Sequence, residues 1–430
     1  MDKAADIISK HDLMILRDLA MKQMAYASLP IMQERTREWF LHNALKGKRP
    51  MIHLELWTFG EEILPERMRC EGKRARAIES SLLQNFLNYE LFDDDKIVPP
   101  FYPLSIHLDF KLFNADIKRD HAADSHGRQV GHKFEYLIND LEEDMGTLGK
   151  TQWSADLDRT YREKVFLEEL FGDILPVRII GRCAGASLTQ DVVHLMGMEA
   201  MFMAMYDCPE ALHDLMKRIT DDYLAWYRFL ESQKLILPTN TYTLVGQGTW
   251  AFTQELPGPS LADLLEKSPI DAVTLDKTWG YMDSQETVGI SPDMFESFFF
   301  PYYKRIGDLF GLLSYGCCEP VDTIWDNCIS KFDNLRKVSI SPWCSEEKMG
   351  EQLRGSSVIF HRKPSPNFLG VGYDFDEEGF SDHIRKTMHA ARGCKLEITM
   401  RDVYSLGGNP GKARRAVEII RQLTESVWQA

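Results

Sequence analysis

The sequence has no long apolar run and no cluster of basic residues, and both absences restrict the kind of protein it encodes. No stretch reaches the roughly 18 consecutive apolar residues of a membrane-spanning helix. The opening residues, MDKAADIISKHDL, do not follow the order of a signal peptide, in which a basic start precedes an apolar stretch. The 50 Lys and Arg are outnumbered by 65 Asp and Glu, and the net charge is −15. We therefore expect a cytoplasmic protein that binds neither membranes nor nucleic acid.

Cysteine spacing argues against a disulfide-stabilised secreted protein and against a metal site built from a CxxC pair. The 8 cysteines are scattered over 430 residues without a CxxC pair, whereas disulfide frameworks crowd evenly spaced cysteines into short secreted chains. The thiols are therefore expected to be reduced, and a metal site would need ligands from distant segments.

Short apolar runs alternate with amphipathic helical segments, which is typical of βα units around a parallel sheet. With 44% hydrophobic residues the chain can bury a large core. Eight runs are candidate strands. Eight is the number that a closed (β/α)8 TIM barrel requires, although an open doubly wound sheet accommodates them too. The candidate strands are residues 51–57, 102–110, 177–183, 272–279, 311–317, 335–341, 357–363 and 395–403.

The spacing of these strands also predicts the domain organisation. We predict an α/β barrel over residues 50–430, preceded by a helical extension over residues 1–49. Residues 114–160 are polar and rich in His, Asp and Gly, and are interpreted as an excursion at the barrel mouth. The segment SPDMFESFFFPYYKRIGDLF predicts a helix capped by Ser291, which Pro301 should bend or divide because proline lacks an N–H donor.

Five segments after residue 180 stand in a recognisable order. They read ASLTQDVVHLMGMEAMFMAMYDCPEALHDLMKRIT, SPDMFESFFFPYYKRI, YGCCEP, VSISPW and FHRKPSP. Their order resembles that of the uroporphyrinogen decarboxylase superfamily, and the resemblance extends from roughly residue 50 to the carboxyl terminus. That superfamily consists of (β/α)8 barrels. It includes decarboxylases of haem biosynthesis and methyltransferases that move a methyl group between methylcobalamin and a thiol or another acceptor.

One segment separates the two branches. The decarboxylases carry an arginine-rich MRQAGRY segment after the first strand, whose arginines hold the acidic side chains of the tetrapyrrole. Here the same place reads HLELWTFGEE, with Glu55, Glu61 and Glu62. Carboxylates repel a porphyrinogen, which is itself a polycarboxylate. The resemblance therefore implies a corrinoid-linked methyltransferase or demethylase that acts on a small methylated compound.

The same resemblance implies the partners. Cobalamin would be carried by a separate corrinoid protein, because this chain has no DxHxxG-type cobalamin motif. Two other functions stay open, a decarboxylase of a small carboxylic acid or porphyrinogen and a non-catalytic small-molecule-binding barrel. Association into a homodimer also stays open.

The methyltransferase branch holds zinc through an HxC motif at the fifth strand end and a cysteine near the last strand. Here the fifth strand ends with YGCCE, so that Tyr315 replaces the histidine, and the last strand offers Asp402 instead of a cysteine. Zinc accepts sulfur and carboxylate oxygen. The candidate ligands are Cys317, Cys318, Glu319 and Asp402. Neighbours in a strand face opposite ways, so only one cysteine should point inward. Alternatively, both cysteines are buried apolar side chains.

Polar side chains near the strand ends are the remaining site candidates. His53, Glu55 and Trp57 alternate along the first strand and so share one face, which is either the pocket face of a barrel or the solvent side of a strand wrongly placed at the centre. His53 could also be simply hydrogen-bonded. We interpret Glu319, His53 and Glu55 as candidate catalytic residues. The candidate substrate-binding residues are Trp57, Arg182, Gln247, Trp250, Lys277, Tyr315 and Lys363.

Two of these interpretations have an alternative. Arg182 could instead form an ion pair with Glu255 or Asp276. The segment GQGTWAFTQELPGP, which contains Trp250, is either an aromatic lid over an apolar ligand or an ordinary packed loop.

Overall fold

The fold is that of a mixed α/β protein, as seen in a computed structural model. The structure describes residues 8–123, 129–266 and 269–428, except for the side chains of residues 57, 58 and 120–133. In these ranges the helices are α1 (Lys10–Ala27), α2 (Pro30–Asn43), α3 (Lys73–Leu91), α4 (Leu141–Asp144), α5 (Leu157–Phe171), α6 (Leu188–Met196), α7 (Met198–Asp207), α8 (Pro209–Ser232), α9 (Pro292–Phe298), α10 (Phe300–Gly307), α11 (Glu346–Leu353), α12 (Asn367–Gly370), α13 (Glu377–Ala390) and α14 (Gly411–Ser426).

Short strands alternate with these helices along most of the chain. The strands are β1 (Met51–Leu54), β2 (Tyr102–Leu104), β3 (His107–Lys111), β4 (Arg119–Ala123), β5 (Gln129–Phe134), β6 (Gln152–Asp156), β7 (Val177–Ile179), β8 (Ala184–Ala186), β9 (Trp279–Met282), β10 (Leu312–Tyr315), β11 (Leu335–Ile340), β12 (Ile359–Arg362) and β13 (Leu396–Met400).

A seven-stranded parallel sheet forms the centre of the molecule. Its strand order is β1-β13-β12-β11-β10-β9-β8, and every pairing in it is parallel. All residues of β10, β11, β12 and β13 are buried, as expected for strands covered on both faces. The predicted α/β class with a parallel sheet is confirmed.

Further segments of the chain lie next to both edges of this sheet. β2 and β7 form a separate parallel pair, and only residues 180–183 separate β7 from β8 at one edge. At the other edge, the Asp94 and Asp95 carboxylates accept hydrogen bonds from the backbone N–H groups of Leu54 and Ile52 in β1, each at 2.8 Å. Closure of the sheet into a barrel stays a prediction.

Of the amino-terminal helices, α1 packs against α3 and α5, and α2 contacts the sheet through Trp39 and His42. The Ser9 hydroxyl accepts a hydrogen bond from the Asp12 backbone N–H and caps α1. In α2, the Trp39 indole N–H donates to the Asp95 carbonyl at 2.9 Å. α1 and α2 lie within the predicted extension, residues 1–49.

The helical segment at residues 291–310 has the predicted capping and division. The Ser291 hydroxyl accepts from the Met294 N–H at 3.2 Å, and α9 ends at Phe298. α10 begins at Phe300 with Pro301 in its first turn. Both predictions are confirmed.

Two predicted strands were placed wrongly. Residues 272–279 are not a strand ending at Trp279, because β9 begins there and Leu275–Lys277 form a 3-10 turn. The Thr274 hydroxyl donates to the Asp276 carboxylate, a side-chain bond that favours a turn. The predicted strand over residues 102–110 is broken into β2 and β3, and β3 pairs with β6 outside the parallel sheet.

The predicted excursion, residues 114–160, contains two antiparallel elements. β4 pairs with β5, and β6 returns to pair with β3. Its residues 124–128 lie outside the described residues. Across the described ranges, none of the helices combines the length and apolarity that crossing a bilayer requires.

Candidate active site

The two adjacent cysteines follow the carboxyl end of β10. Gly316 there adopts a φ of 101°, and a side chain at this position would meet Ser339 Cβ at 3.0 Å. This left-handed turn ends the strand geometry, and the Cys317 and Cys318 Sγ atoms lie 3.4 Å apart. The expectation that the two thiols face opposite ways is therefore wrong, because the strand ends at Tyr315.

Charged residues surround the thiol pair. Cys318 Sγ lies 3.6 Å from Asp402 Oδ2, and Cys317 Sγ lies 3.9 Å from Arg401 Nη1. The Lys363 ammonium donates to the Cys317 carbonyl at 3.3 Å. We call these five residues the thiol cluster.

The two thiols of this cluster have opposite protonation tendencies. The contact with Cys318 holds the pKa of Cys317 below its ordinary value; burial opposes this, and the positive charges of Lys363 and Arg401 reinforce it. The contact with Cys317, together with burial, raises the pKa of Cys318. The pair therefore favours a thiolate at Cys317 and a protonated thiol at Cys318.

Glu319 is buried beside the thiols, and both of its carboxylate oxygens are bound by backbone N–H groups. One carboxylate oxygen accepts from the Ser284 N–H and the other from the Cys317 N–H, both at 2.8 Å. Burial, and then the negative charge of Asp283, raises the pKa of Glu319 to about 7. Glu319 thus joins the carboxyl ends of β9 and β10. Tyr315 has the same role, because its hydroxyl lies 2.7 Å from the Ser284 hydroxyl.

The predicted metal ligands are only partly assembled. Cys317, Cys318 and Asp402 lie near one another, but the Glu319 oxygens are engaged by backbone N–H groups. In the part of the chain that the structure describes, no group of three or more His, Cys, Asp or Glu side chains is arranged to hold a metal ion. The four-residue set as it stands does not fit a zinc ion.

Of the three candidates predicted on the first strand, only His53 lies in β1, because the strand ends at Leu54, so the predicted alternation through Glu55 and Trp57 is wrong. His53 is buried, and its Nδ1 hydrogen-bonds the Gly248 carbonyl, so that Nδ1 carries the proton. Glu55 Oε2 lies 3.5 Å from Arg401 Nε, which neutralises part of the negative charge predicted at the mouth. The Trp57 side chain lies outside the described part of the structure.

The segment around Trp250 is a buried turn, so the lid interpretation is wrong. The Val245 N–H donates to the Thr249 carbonyl at 2.8 Å, and Trp250 is only 5% exposed. The Asn43 side chain of α2 donates to the Trp250 carbonyl at 2.9 Å. Gln247 accepts a hydrogen bond from Lys363, and so connects this turn to the thiol cluster.

A cavity of about 490 Å³, which we call the mouth cleft, is lined by none of the five residues of the thiol cluster. Tyr281 of β9 lines it, and the Tyr281 hydroxyl lies 3.4 Å from the Gly316 carbonyl, so this ring lies between the cleft and the thiols. The cleft is lined by Gln84, Asn85, Lys96, Ile97, Pro99, Pro103, Ser105, Ile180, Gly181, Arg182, Cys183, Gly185, Tyr242, Thr243, Leu244, Gly246, Trp250 and Tyr281.

Of the predicted binding residues Arg182 and Lys277, the first lines the mouth cleft and the second does not. Arg182 lines the mouth cleft and does not form either proposed ion pair, since Arg336 binds Glu255 at 2.6 Å and Lys277 lies 3.2 Å from Asp276. Lys277 itself is exposed and precedes β9. It therefore lies at the amino end of the strand, away from the mouth, and its predicted binding role is wrong.

Several residues of the site were missed by the sequence analysis. Arg401 directly precedes Asp402 and was visible in KLEITMRDV as a cation at a strand end, but received no role. Asp283, Ser284 and Gln285 follow β9, and were missed because that strand was placed one segment too early. Gln285 Oε1 lies 3.3 Å from Cys317 Sγ.

The similarity of the chain to known proteins is detected in structure and not in sequence. No protein-family model matches the chain, and no curated protein aligns with it. Among solved structures, the chain is similar to a methyltransferase from Methanosarcina mazei, with a TM-score of 0.48 and 11% sequence identity over 90% of this chain and 98% of the other. A likeness at this level carries no conclusion about activity.

Proposed function

We propose that the protein is a corrinoid-linked methyltransferase or demethylase of a small methylated compound, built on a closed (β/α)8 barrel. One observation carries the proposal. The Cys317 and Cys318 thiols lie 3.4 Å apart, next to Asp402 and Arg401, at the carboxyl end of a central strand. A thiol beside a thiolate can give one proton to a basic departing atom and regain it from solvent, which is what methyl removal requires. The resemblance to the uroporphyrinogen decarboxylase superfamily supports the same class.

The proposed reaction moves the methyl group without its bonding electrons. The bond between the methyl carbon and a sulfur, oxygen or nitrogen atom of the substrate breaks, and that atom keeps the electron pair. Cobalt(I) of a corrinoid on a separate protein supplies the pair for the new carbon–cobalt bond and is formally oxidised to cobalt(III). The departing atom takes up one proton.

The thiol cluster can protonate the departing atom and stabilise its negative charge. We assign the proton to Cys318, whose raised pKa keeps it protonated until the departing atom becomes basic. Lys363 and Arg401 place positive charge beside the pair, and preorganised positive charge stabilises an anion that forms in the transition state. Solvent then reprotonates Cys318.

Methyl transfer to cob(I)alamin tests the proposal directly. Purified protein is mixed with cob(I)alamin and, in turn, a methylated amine, a thioether and an aryl methyl ether, and methylcobalamin is followed by absorbance. We expect turnover with at least one donor. Cys318→Ser should lower the rate roughly 100-fold or more, because a hydroxyl is a far weaker acid than a thiol.

Cys394→Ser is the matched control, because the Cys394 thiol contacts the Gly350 carbonyl instead of the thiol cluster. It should leave the rate unchanged. No methylcobalamin with any donor, or equal rates in the Cys318 and Cys394 variants, would refute the proposed function. Release of CO2 from uroporphyrinogen at a useful rate would support the decarboxylase alternative instead.

Zinc stays a separate prediction, and no step above depends on it. The donor atoms of Cys317, Cys318 and Asp402 are of the types that zinc accepts, although Glu319 is not placed with them. Elemental analysis of the purified protein should find about one zinc per chain if the prediction holds, and Cys318→Ser should reduce it. Absence of zinc from the parent protein would refute it.

A further inference from the structure

The sulfur atoms of two neighbouring residues are in contact at the thiol cluster. Cys317 Sγ and Cys318 Sγ lie 3.4 Å apart. A disulfide bond is about 2.05 Å long, so the two sulfurs need to approach each other by about 1.4 Å to form one. The Cys394 sulfur, by contrast, has an oxygen neighbour, the Gly350 carbonyl at 3.5 Å. The pair at residues 317 and 318 is therefore placed for a reaction between its two sulfurs.

The backbone at this pair is held by the neighbouring strand ends. The Cys317 N–H donates to Glu319 at 2.8 Å, and the Cys317 carbonyl accepts from the Ser339 hydroxyl at 2.8 Å. Gly316, which precedes the pair, has a φ of 101°, a conformation that glycine adopts without strain. These contacts fix the backbone at Cys317, so the two thiols stay within reach of each other.

The two cysteines differ in their access to solvent. Cys318 is half-buried, whereas Cys317 is 4% exposed. Cysteines that respond to oxidants are accessible to solvent and often have a second thiol beside them, which resolves the first oxidation product into a disulfide. The pair has both features.

A disulfide between neighbours in the sequence would be easy to reduce. Consecutive Cα atoms lie about 3.8 Å apart across a trans peptide, whereas disulfides usually join Cα atoms roughly 4.4–6.8 Å apart. The bond would therefore be strained, and strained disulfides are reduced more readily than structural ones. Oxidation of this pair would thus be reversible.

We infer that Cys317 and Cys318 are a reversible modification site, which a hydroperoxide such as hydrogen peroxide converts into a disulfide. One sulfur attacks a peroxide oxygen, the O–O bond breaks, and a sulfenic acid and one water form. The second sulfur then attacks the first, the S–O bond breaks, and a second water leaves. The two thiols lose two electrons and two protons, and the peroxide is reduced to two waters.

Resting on the proposed function, this disulfide stops methyl removal. Cys318 in the disulfide carries no proton for the departing atom. The cobalt(I) that accepts the methyl group is itself lost under oxidising conditions, so the enzyme would stop when its acceptor is absent. A thiol reductant would restore the pair.

Peroxide treatment of the full chain tests the modification without any corrinoid. The reduced protein is treated with a small molar excess of hydrogen peroxide, the remaining thiols are alkylated after denaturation, and tryptic peptides are measured by mass spectrometry. We expect two of the 8 thiols to be lost together, with Cys328, which lies in the same tryptic peptide, still alkylated. Dithiothreitol should restore both lost thiols.

Single substitutions sharpen this measurement. Cys317→Ser and Cys318→Ser should each abolish the paired loss, because the remaining sulfur has no partner, whereas the matched control Cys394→Ser should keep it. The inference is overturned if Cys317 and Cys318 are both alkylated after peroxide, if either is bonded to Cys328, or if dithiothreitol does not reverse the change. The mapping on the parent protein stands even where a variant does not fold.

Methyl transfer to cob(I)alamin separates this inference from the proposed function. The oxidised parent should be roughly 100-fold slower or more than the reduced parent, because its disulfide cannot donate a proton. The disulfide is mapped again after the assay, since cob(I)alamin is a reductant. Equal rates with the disulfide intact would overturn the inferred switch. A disulfide that forms in a protein whose reduced form transfers no methyl group refutes the proposed function, while the modification site stands.

Discussion

Two buried clusters of ionisable side chains lie on the same parallel sheet. They differ in the charge that lies next to the buried glutamate of each cluster. In mid-sheet, Lys337 Nζ of β11 lies 3.0 Å from Glu397 Oε2 of β13, and both side chains are fully buried. At the carboxyl ends, Glu319 accepts hydrogen bonds from backbone N–H groups and a serine hydroxyl, beside the like-charged Asp283. One glutamate has a cation as its neighbour, and the other an acid.

The pKa values of the two glutamates differ accordingly. Burial opposes the charge of Glu397, but the positive charge of Lys337 holds its pKa well below the usual range. Burial also lowers the pKa of Lys337, which Glu397 opposes, and the 3.0 Å contact favours the ionised pair. Glu319 has its pKa raised to about 7 by burial and Asp283. Identical side chains are thus fixed as a charge in one place and left ready to gain a proton in the other.

The mid-sheet cluster also connects distant parts of the chain. His42 of α2 lies 3.4 Å from Glu397, and Lys337 donates to the Thr249 hydroxyl in the turn around Trp250. Burial lowers the pKa of His361 to about 3, so this ring is neutral and bonds the Thr399 hydroxyl at 2.8 Å. This cluster therefore holds the structure together, whereas the thiol cluster retains groups that can react.

The largest expected loss of stability comes from breaking the mid-sheet pair of Lys337 and Glu397. Glu397→Gln should lower the free energy of unfolding by roughly 3–5 kcal/mol, because it leaves the Lys337 ammonium buried and unpaired. Urea denaturation at pH 7 measures it. Adding Lys337→Met to this variant should restore much of the loss, since no charge then remains. A loss below about 1 kcal/mol in the single variant would show that the pair is not needed.

The second effect is a pH dependence at Glu319. Its pKa is raised from 4.5 to about 7, so the folded chain binds the extra proton and this contribution is complete below pH 4.5. It is lost as the pH rises through about 7, by an amount on the order of 3 kcal/mol. Glu319→Gln cannot lose a proton, and its stability should fall less than that of the parent between pH 5 and pH 8.

Urea midpoints at four pH values within that range provide the measurement. The amide of Glu319→Gln places an N–H next to the backbone N–H donors that Glu319 accepts from. The resulting loss of unfolding free energy is the same at every pH, so it does not change the shape of the pH profile. Parallel pH profiles for the parent and Glu319→Gln would contradict the raised pKa.

The third effect concerns the thiolate at Cys317. Because its pKa is lowered, the ultraviolet absorbance of the parent should show one thiolate per chain forming at a lower pH than the other cysteines. Cys317→Ser should remove this step, while Cys394→Ser, with a buried thiol whose pKa is raised, should keep it. A step that survives in Cys317→Ser would assign the thiolate to another residue.

The smallest effect is expected on the surface of α13. Arg385 pairs with Asp382 one turn away, with 44% and 68% of the two side chains exposed. Solvent screens such a pair, so Arg385→Ala should change the free energy of unfolding by no more than about 0.5 kcal/mol. A change in the unfolding free energy above about 1 kcal/mol, measured in urea, would contradict this expectation. It would mean that burial does not explain why the Lys337–Glu397 pair matters more than this one.

Local patterns in the sequence were sufficient for much of the fold. The apolar runs that became β10, β11, β12 and β13 are buried on both faces, and such runs are visible in any short window. Ser291 and Pro301 marked the beginnings of α9 and α10, because capping and the missing proline N–H act within one helical turn. The region containing the candidate site, YGCCEP, was identified for the same local reason.

Tertiary structure alone decided how the site residues meet. The sequence could not show that the φ of Gly316 brings both thiols together, or that Arg401 lies beside them across the sheet. Nor could it show that Lys277 lies at the wrong end of β9, or that Arg336 occupies Glu255 and leaves Arg182 in the cleft. Residue type and spacing determine local conformation, whereas strand register and contacts between distant segments determine which charges become neighbours.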